Sequence, residues 1–124
     1  MRDPRIISFE ASAAIRGHRL VAGSGSGSLV REAAAGTDKI MGATAQMGAE
    51  AAGDMADVVI DGPTEVVFGG NVSAFDPITS DAQGRAILAA PGAGATHRIA
   101  GFALVDGVVG DIGRVQISPS LLKG

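Results

Sequence analysis

The stretches "GDMADVVIDG" (Gly53–Gly62) and "GDIGRVQISP" (Gly110–Pro119) lie 57 positions apart and share a Gly-Asp pair, three spacer residues and a Val-x-Ile run. Glycine tolerates positive φ, and an aspartate carboxylate bonds nearby backbone amides, so the pair marks a turn. The β-branched run behind it marks a strand. Gly53, Asp54, Gly110 and Asp111 are therefore read as structural turn residues. One turn written twice predicts one unit built twice.

The correspondence extends outward. At the same offset Val21 falls on Ile78, Gly27 on Gly84, Val30 on Ile87 and Ala33 on Ala90. "AAAGTDKIMGA" and "PGAGATHRIAGF" then need two extra residues in the second copy, which sets Ile40 on Ile99, Gly42 on Gly101 and Gly48 on Gly107. The register returns at the two Gly-Asp pairs. Repeat halves of about 14–62 and 71–119 follow, within a single domain spanning 1–124.

Each half reads as short strands between turn signals, the pattern of an all-β sandwich or small barrel. In the second half, "TEVVFGGNVS", "DPITSDAQGRAILAA", "HRIAGFALVDG" and "GDIGRVQISP" supply the strands, with Ile112, Val115 and Ile117 expected inward. One or two short helices compete with this reading. "SLVREAAAGTDK" has a Ser28 cap and a Gly36 stop, but its counterpart carries Pro91, so Leu29–Glu32 is read as strand. A second short helix is expected near "MGAEAAGDMAD".

The 46% apolar content overstates the core, because 22 of those residues are alanine and 19 further positions are glycine. Large apolar side chains stabilise by roughly 1.5–3 kcal/mol each when fully buried, and alanine by much less. So thin a core favours assembly with neighbouring subunits. Cysteine is absent, which excludes disulfides and thiolate chemistry. No run approaches the ~20 apolar residues of a membrane helix, and "MRDPRIISFEASAAIRGHR" lacks a signal-peptide core, so a cytoplasmic site of synthesis is expected.

Charge is uneven. Arg2, Arg5, Arg16 and Arg19 dominate the front, Lys39 to Arg85 encloses only acids, and basic residues return afterwards. A net charge of −3 with no Trp or Tyr offers neither a basic groove nor a stacking platform for nucleic acid. His18 and His97 have no carboxylate neighbour in sequence, and His97 is read as an exposed loop residue. "GSGSGS" (Gly23–Ser28) lacks the Lys-Ser/Thr of a phosphate loop and reads as a hairpin tip. No nucleophile, base and orienting group assemble, no Ca²⁺ loop is present, and no cofactor or metal is expected.

The second half, "AFDPITSDAQGRAILAAPGAGATHRIAGFALVDGVVGDIGRVQISP", resembles the capsid cement, or head decoration, proteins of tailed bacteriophages. The similarity rests on "PITSDAQGRA", "IAGFAL" and "GDIGRVQI" in that order. It implies a non-enzymatic β-rich virion protein, often trimeric, that clamps the outer surface of the head and bridges major capsid subunits. Residues 1–13 read either as an N-terminal arm or as the first strand of the protein's own barrel, with Arg2, Arg5, Ile6, Ile7 and Phe9 as capsid-contact candidates. The alternative is a small β-barrel carrier or ligand-binding module. "GTDKIMGA" shares an Asp-Lys turn with lipoyl carrier domains, which would make Lys39 the modified residue.

Overall fold

Among the described residues, short β-branched runs cut by Gly and Asp turns give nine strands and no helix. The computed structural model describes residues 4–124. In chain order the strands are β1 (Arg5–Glu10), β2 (Leu20–Gly23), β3 (Val30–Glu32), β4 (Ile40–Thr44), β5 (Met55–Val67), β6 (Pro77–Ser80), β7 (Ala86–Leu88), β8 (Thr96–Ala103) and β9 (Ile112–Lys123). All are antiparallel to their ladder partners, in the order β3-β2-β4-β5-β9-β8-β6-β7, with β1 on β5. The fold is all-β and has the character of a small barrel.

β5 is long enough to serve two sheets. Its first segment, up to Asp61, pairs with β1 and β4, and its second, from Gly62, pairs with β9. The result is two five-stranded groups of the same order. β3-β2-β4-β5-β1 is matched by β7-β6-β8-β9 and the second segment of β5.

Several backbone hydrogen bonds recur at corresponding places in the two groups. Ala11 N–H donates to Asp54 O, and Phe68 N–H to Asp111 O. Ile15 N–H donates to Ala49 O, and Val72 N–H to Gly107 O. Gly53 and Gly110 both sit at positive φ, 91° and 90°. The Asp54 carboxylate accepts the Ala51 amide and the Asp111 carboxylate the Val108 amide. Each aspartate thus reaches back three residues, closing the turn from behind.

Three details depart from the sequence alignment. The β6–β7 turn is one residue shorter than its partner, so Val30 corresponds to Ala86 and Ala33 to Ala89 instead of Ile87 and Ala90. Ala49, and not Gly48, is the counterpart of Gly107. Ile112 was expected inward but is 54% exposed, whereas Val115 and Ile117 are fully buried. Gly113, Val115 and Ile117 face the core, and alternation puts Ile112 on the other face.

The strand reading of Leu29–Glu32 holds, and the short helix expected in the first half does not form. Val30–Glu32 is strand, and in "MGAEAAGDMAD" Ala49 bridges Ile15, Gly53 turns and Met55 begins β5. Alanine-rich sequence has high helix propensity, but segments this short gain more from sheet pairing than from a helical turn.

The apolar residues form two clusters. The first half holds Ala11, Ile15, Val21, Val30, Ala49, Ala56 and Val58, with Phe9, Met41 and Ile60 half-buried against them. The second half holds Val66, Phe68, Val72, Ile78, Ala86, Ala100, Ala103, Val115 and Ile117. That cluster also includes Leu20, Ala22, Ala33, Ile40, Ala43 and Val59 from the first half. The outer row of one half therefore closes the interior of the other.

Candidate functional site

Four of the five capsid-contact candidates fall on β1; Arg2 lies outside the described residues. Of the two readings of the N-terminal stretch, arm or internal strand, residues 5–10 follow the second, in register on β5 from Ile6 opposite Val59 to Glu10 opposite Met55. Arg5, Ile6 and Ile7 are exposed and Phe9 is half-buried. Ala11 N–H faces β5, so by alternation the amide of Glu10 and the carbonyl of Ser8 face away from it. No partner on that outer edge occurs among the described residues.

The corresponding edge in the second half is covered. Val67 N–H donates to the carbonyl of His18 at 3.0 Å, and the His18 ring Nδ1 donates to Glu65 O at 3.0 Å. His18 takes φ +57°, a left-handed conformation that is uncommon for non-glycine residues. Its counterpart 57 residues on is Phe75, at φ +71°. Phe75 closes its turn in the same way, with its N–H on Ala103 O where His18 N–H meets Ala45 O. Yet Phe75 is 75% exposed and covers nothing.

A second exposed apolar group gathers at one end of each half. Val105, Val108, Val109 and Ile112 protrude around the Asp111 turn, and Met47 and Met55 flank the Asp54 turn. Sequence reading missed these positions because isolated exposed apolar residues are ordinary. Their recurrence on equivalent turns was the available signal.

Several polar groups fix turns and join strands. Asp81 accepts the Gln83 and Arg85 amides and the Arg85 guanidinium, fixing the β6–β7 turn. Arg16 forks onto Glu32, and Arg31 binds Asp38. Arg16 and Arg19 both donate to Gln83 O, tying the halves together. Burial pushes the Asp81 carboxyl up, but the two amides and Arg85 more than offset this and hold it below its ordinary 3.8. For Asp38 the Arg31 hydrogen bond is the largest influence and also lowers it. A depressed carboxylate stabilises the fold above its unfolded value and loses that contribution as pH falls through the folded one. Stability is therefore expected to be flat near neutrality and to fall below about pH 4. Asp81→Asn should flatten that acid limb while lowering stability at pH 7. Urea midpoints at several pH values check it, and an unchanged acid slope contradicts the role given to Asp81.

The two histidines sit in different settings. His18 serves a turn. His97 is not in a loop but in β8, opposite Leu122, half-buried against Gly36 and with Nδ1 lacking a partner. An open cleft of about 690 Å³ lies beside His18, lined by Ala45, Gln46, Pro63, Thr64, Glu65 and Arg114. Lys39 is exposed immediately before β4, and "GSGSGS" forms the β2–β3 connection. Among the described residues no group of three or more His, Asp or Glu is placed to hold a metal ion.

This architecture has a known counterpart. The chain folds like the base of a phage head fibre. The crystal structure of the head fiber gp8.5 N base in bacteriophage phi29 superposes with a TM-score of 0.68, covering 97% of this chain and 98% of that one. Sequence identity is 17%, so the likeness is one of fold. No family model matches the sequence, and no curated protein does.

Proposed function

We propose that this chain is a non-catalytic structural protein of a phage virion, which attaches as an oligomer, most simply a trimer, to the outer surface of the head. The observation that carries this reading is the likeness, over nearly the whole of both chains, to the base of a phage head fibre. The cement-like order of motifs in the second half supports it from sequence. So does the surface: a chain with a thin core leaves twelve large apolar residues exposed among the described residues. Contiguous apolar exposure marks interaction surfaces.

Shell contact is assigned to the equivalent apolar turns, Val105, Val108 and Val109 in one half and Met47 and Met55 in the other. The partner is the major capsid protein lattice, and the attached protein holds neighbouring shell subunits together. Several weak contacts made at once give strong attachment to a lattice and little to a free subunit. Neither nucleic acid, membrane nor cofactor takes part.

Purified protein mixed with undecorated, expanded heads of the phage that encodes it is expected to give ordered density on the outer surface by electron microscopy. Val108→Asp with Val109→Asp should reduce occupancy at least tenfold without changing thermal stability, both residues being exposed. Bare heads after mixing would overturn the assignment.

A further inference from the structure

We propose that the free edge of β1 receives the second half of another copy of this chain, through its Phe75 turn and the row Pro77, Phe102 and Gln116. This deepens the self-association part of the proposed function and does not depend on a shell.

The contact is one the chain already makes within itself. In the first half Leu20, Ala43 and Val59 form a row across β2, β4 and β5. That row is buried in the cluster of the second half, at 0%, 0% and 2% exposure. Beside it the His18 turn caps the second segment of β5. The same row in the second half is Pro77, Phe102 and Gln116 across β6, β8 and β9. Pro77 and Gln116 are half-buried, and Phe102 is 41% exposed. Its adjacent turn carries Phe75. One face is thus spent inside the molecule, and its duplicate, which adds two phenylalanines, is left uncovered.

The receiving side shows the matching deficit. Val66, Ala100 and Ile117 are fully buried because the outer row of the first half lies over them. Their counterparts in the first half are Phe9, Met41 and Ile60, all half-buried. β1 corresponds to the second segment of β5, and the outward amide of Glu10 corresponds to that of Val67. Docking places the Phe75 carbonyl where it accepts the Glu10 N–H, as His18 O accepts that of Val67. Covering a sheet edge with backbone hydrogen bonds and an apolar row is the usual way such an edge is made safe from aggregation.

A contact between different surfaces is head-to-tail, so copies join in sequence and close when the rotation permits. This gives a test that no face-to-face dimer passes. Phe75→Asp with Phe102→Asp removes the donor surface, and deletion of Met1–Glu10 removes the acceptor edge. Wild-type protein should sediment as an oligomer, and the exposed double substitution as the 12.3 kDa monomer with unchanged circular dichroism. Mixing the two defective forms should yield a one-to-one dimer, since one intact donor and one intact acceptor remain.

A second measurement does not depend on the deletion folding. The chain has no cysteine, so Glu10→Cys and Phe75→Cys chains can be mixed and oxidised. A disulfide joining the two different chains, in excess of either homodimer, is expected. A monomeric wild type, an undiminished oligomer after Phe75→Asp and Phe102→Asp, or cross-links only between like chains would each overturn the proposal. Loss of head attachment with this oligomer intact would sink the capsid reading alone.

Discussion

Phe68→Ala is expected to cost the fold about 3–5 kcal/mol, the range for deleting a fully buried aromatic. Phe68 is the one buried phenylalanine of four, and the largest fully buried side chain among the described residues. Small domains are stable by only about 5–15 kcal/mol, so this single change removes a large share of the total. Two glycines make room for the ring, since a Cβ at Gly107 or Gly113 would run into Phe68 carbon atoms. In the first half the three corresponding residues are Ala11, Ala49 and Ala56, all buried. The same space is filled there by three methyl groups instead of one ring and two hydrogens. Ala11→Phe alone should therefore overpack the first half, and adding Ala49→Gly and Ala56→Gly should recover most of the loss. Urea denaturation of the four proteins checks both statements. A triple variant no more stable than Ala11→Phe would show that the halves do not share this packing.

That exchange explains what the sequence could and could not reveal. Backbone demands were legible, because Gly53-Asp54 and Gly110-Asp111 are required by turn geometry in both halves. The all-β class was legible from the same turns and the β-branched runs between them. Side chains that trade volume within a core erase similarity while preserving structure, so Ala11 and Phe68 could not be recognised as one position. Ile112 was misplaced for a local reason: three apolar residues invite an inward reading, and only pairing reveals which parity faces the core. The candidate surface was hardest to see. Phe75 is an ordinary residue in sequence. It becomes informative when its φ of +71° and its exposure are set beside His18, which makes the same turn and has an edge to cover.

Gly101→Ala is the other substitution expected to be severe, at roughly 3–5 kcal/mol from strained backbone and overpacking together. Gly101 is buried mid-strand in β8, opposite Ile78 on β6 and Ile117 on β9, at a bulge that follows Ile99. Its φ of +150° is a conformation that side chains rarely adopt. A Cβ there would strike the carbonyl oxygen of Gln116 and lie 2.8 Å from the Ser118 nitrogen. Both are backbone atoms of β9, which is itself held by β5, so neither can retreat without breaking a ladder. Gly42 occupies the equivalent place in the first half, and a Cβ on it would strike the carbonyl oxygen of Val59. Gly42 is not at positive φ, so Gly42→Ala carries the steric cost without the dihedral one. It should be the milder of the two by roughly 1–3 kcal/mol, the cost of holding a non-glycine residue in such a conformation. The outer row of the first half is buried in the second, so both variants should still unfold in one transition, at lower urea. A Gly101→Ala midpoint within error of wild type would mean that β8 does not approach β9 this closely.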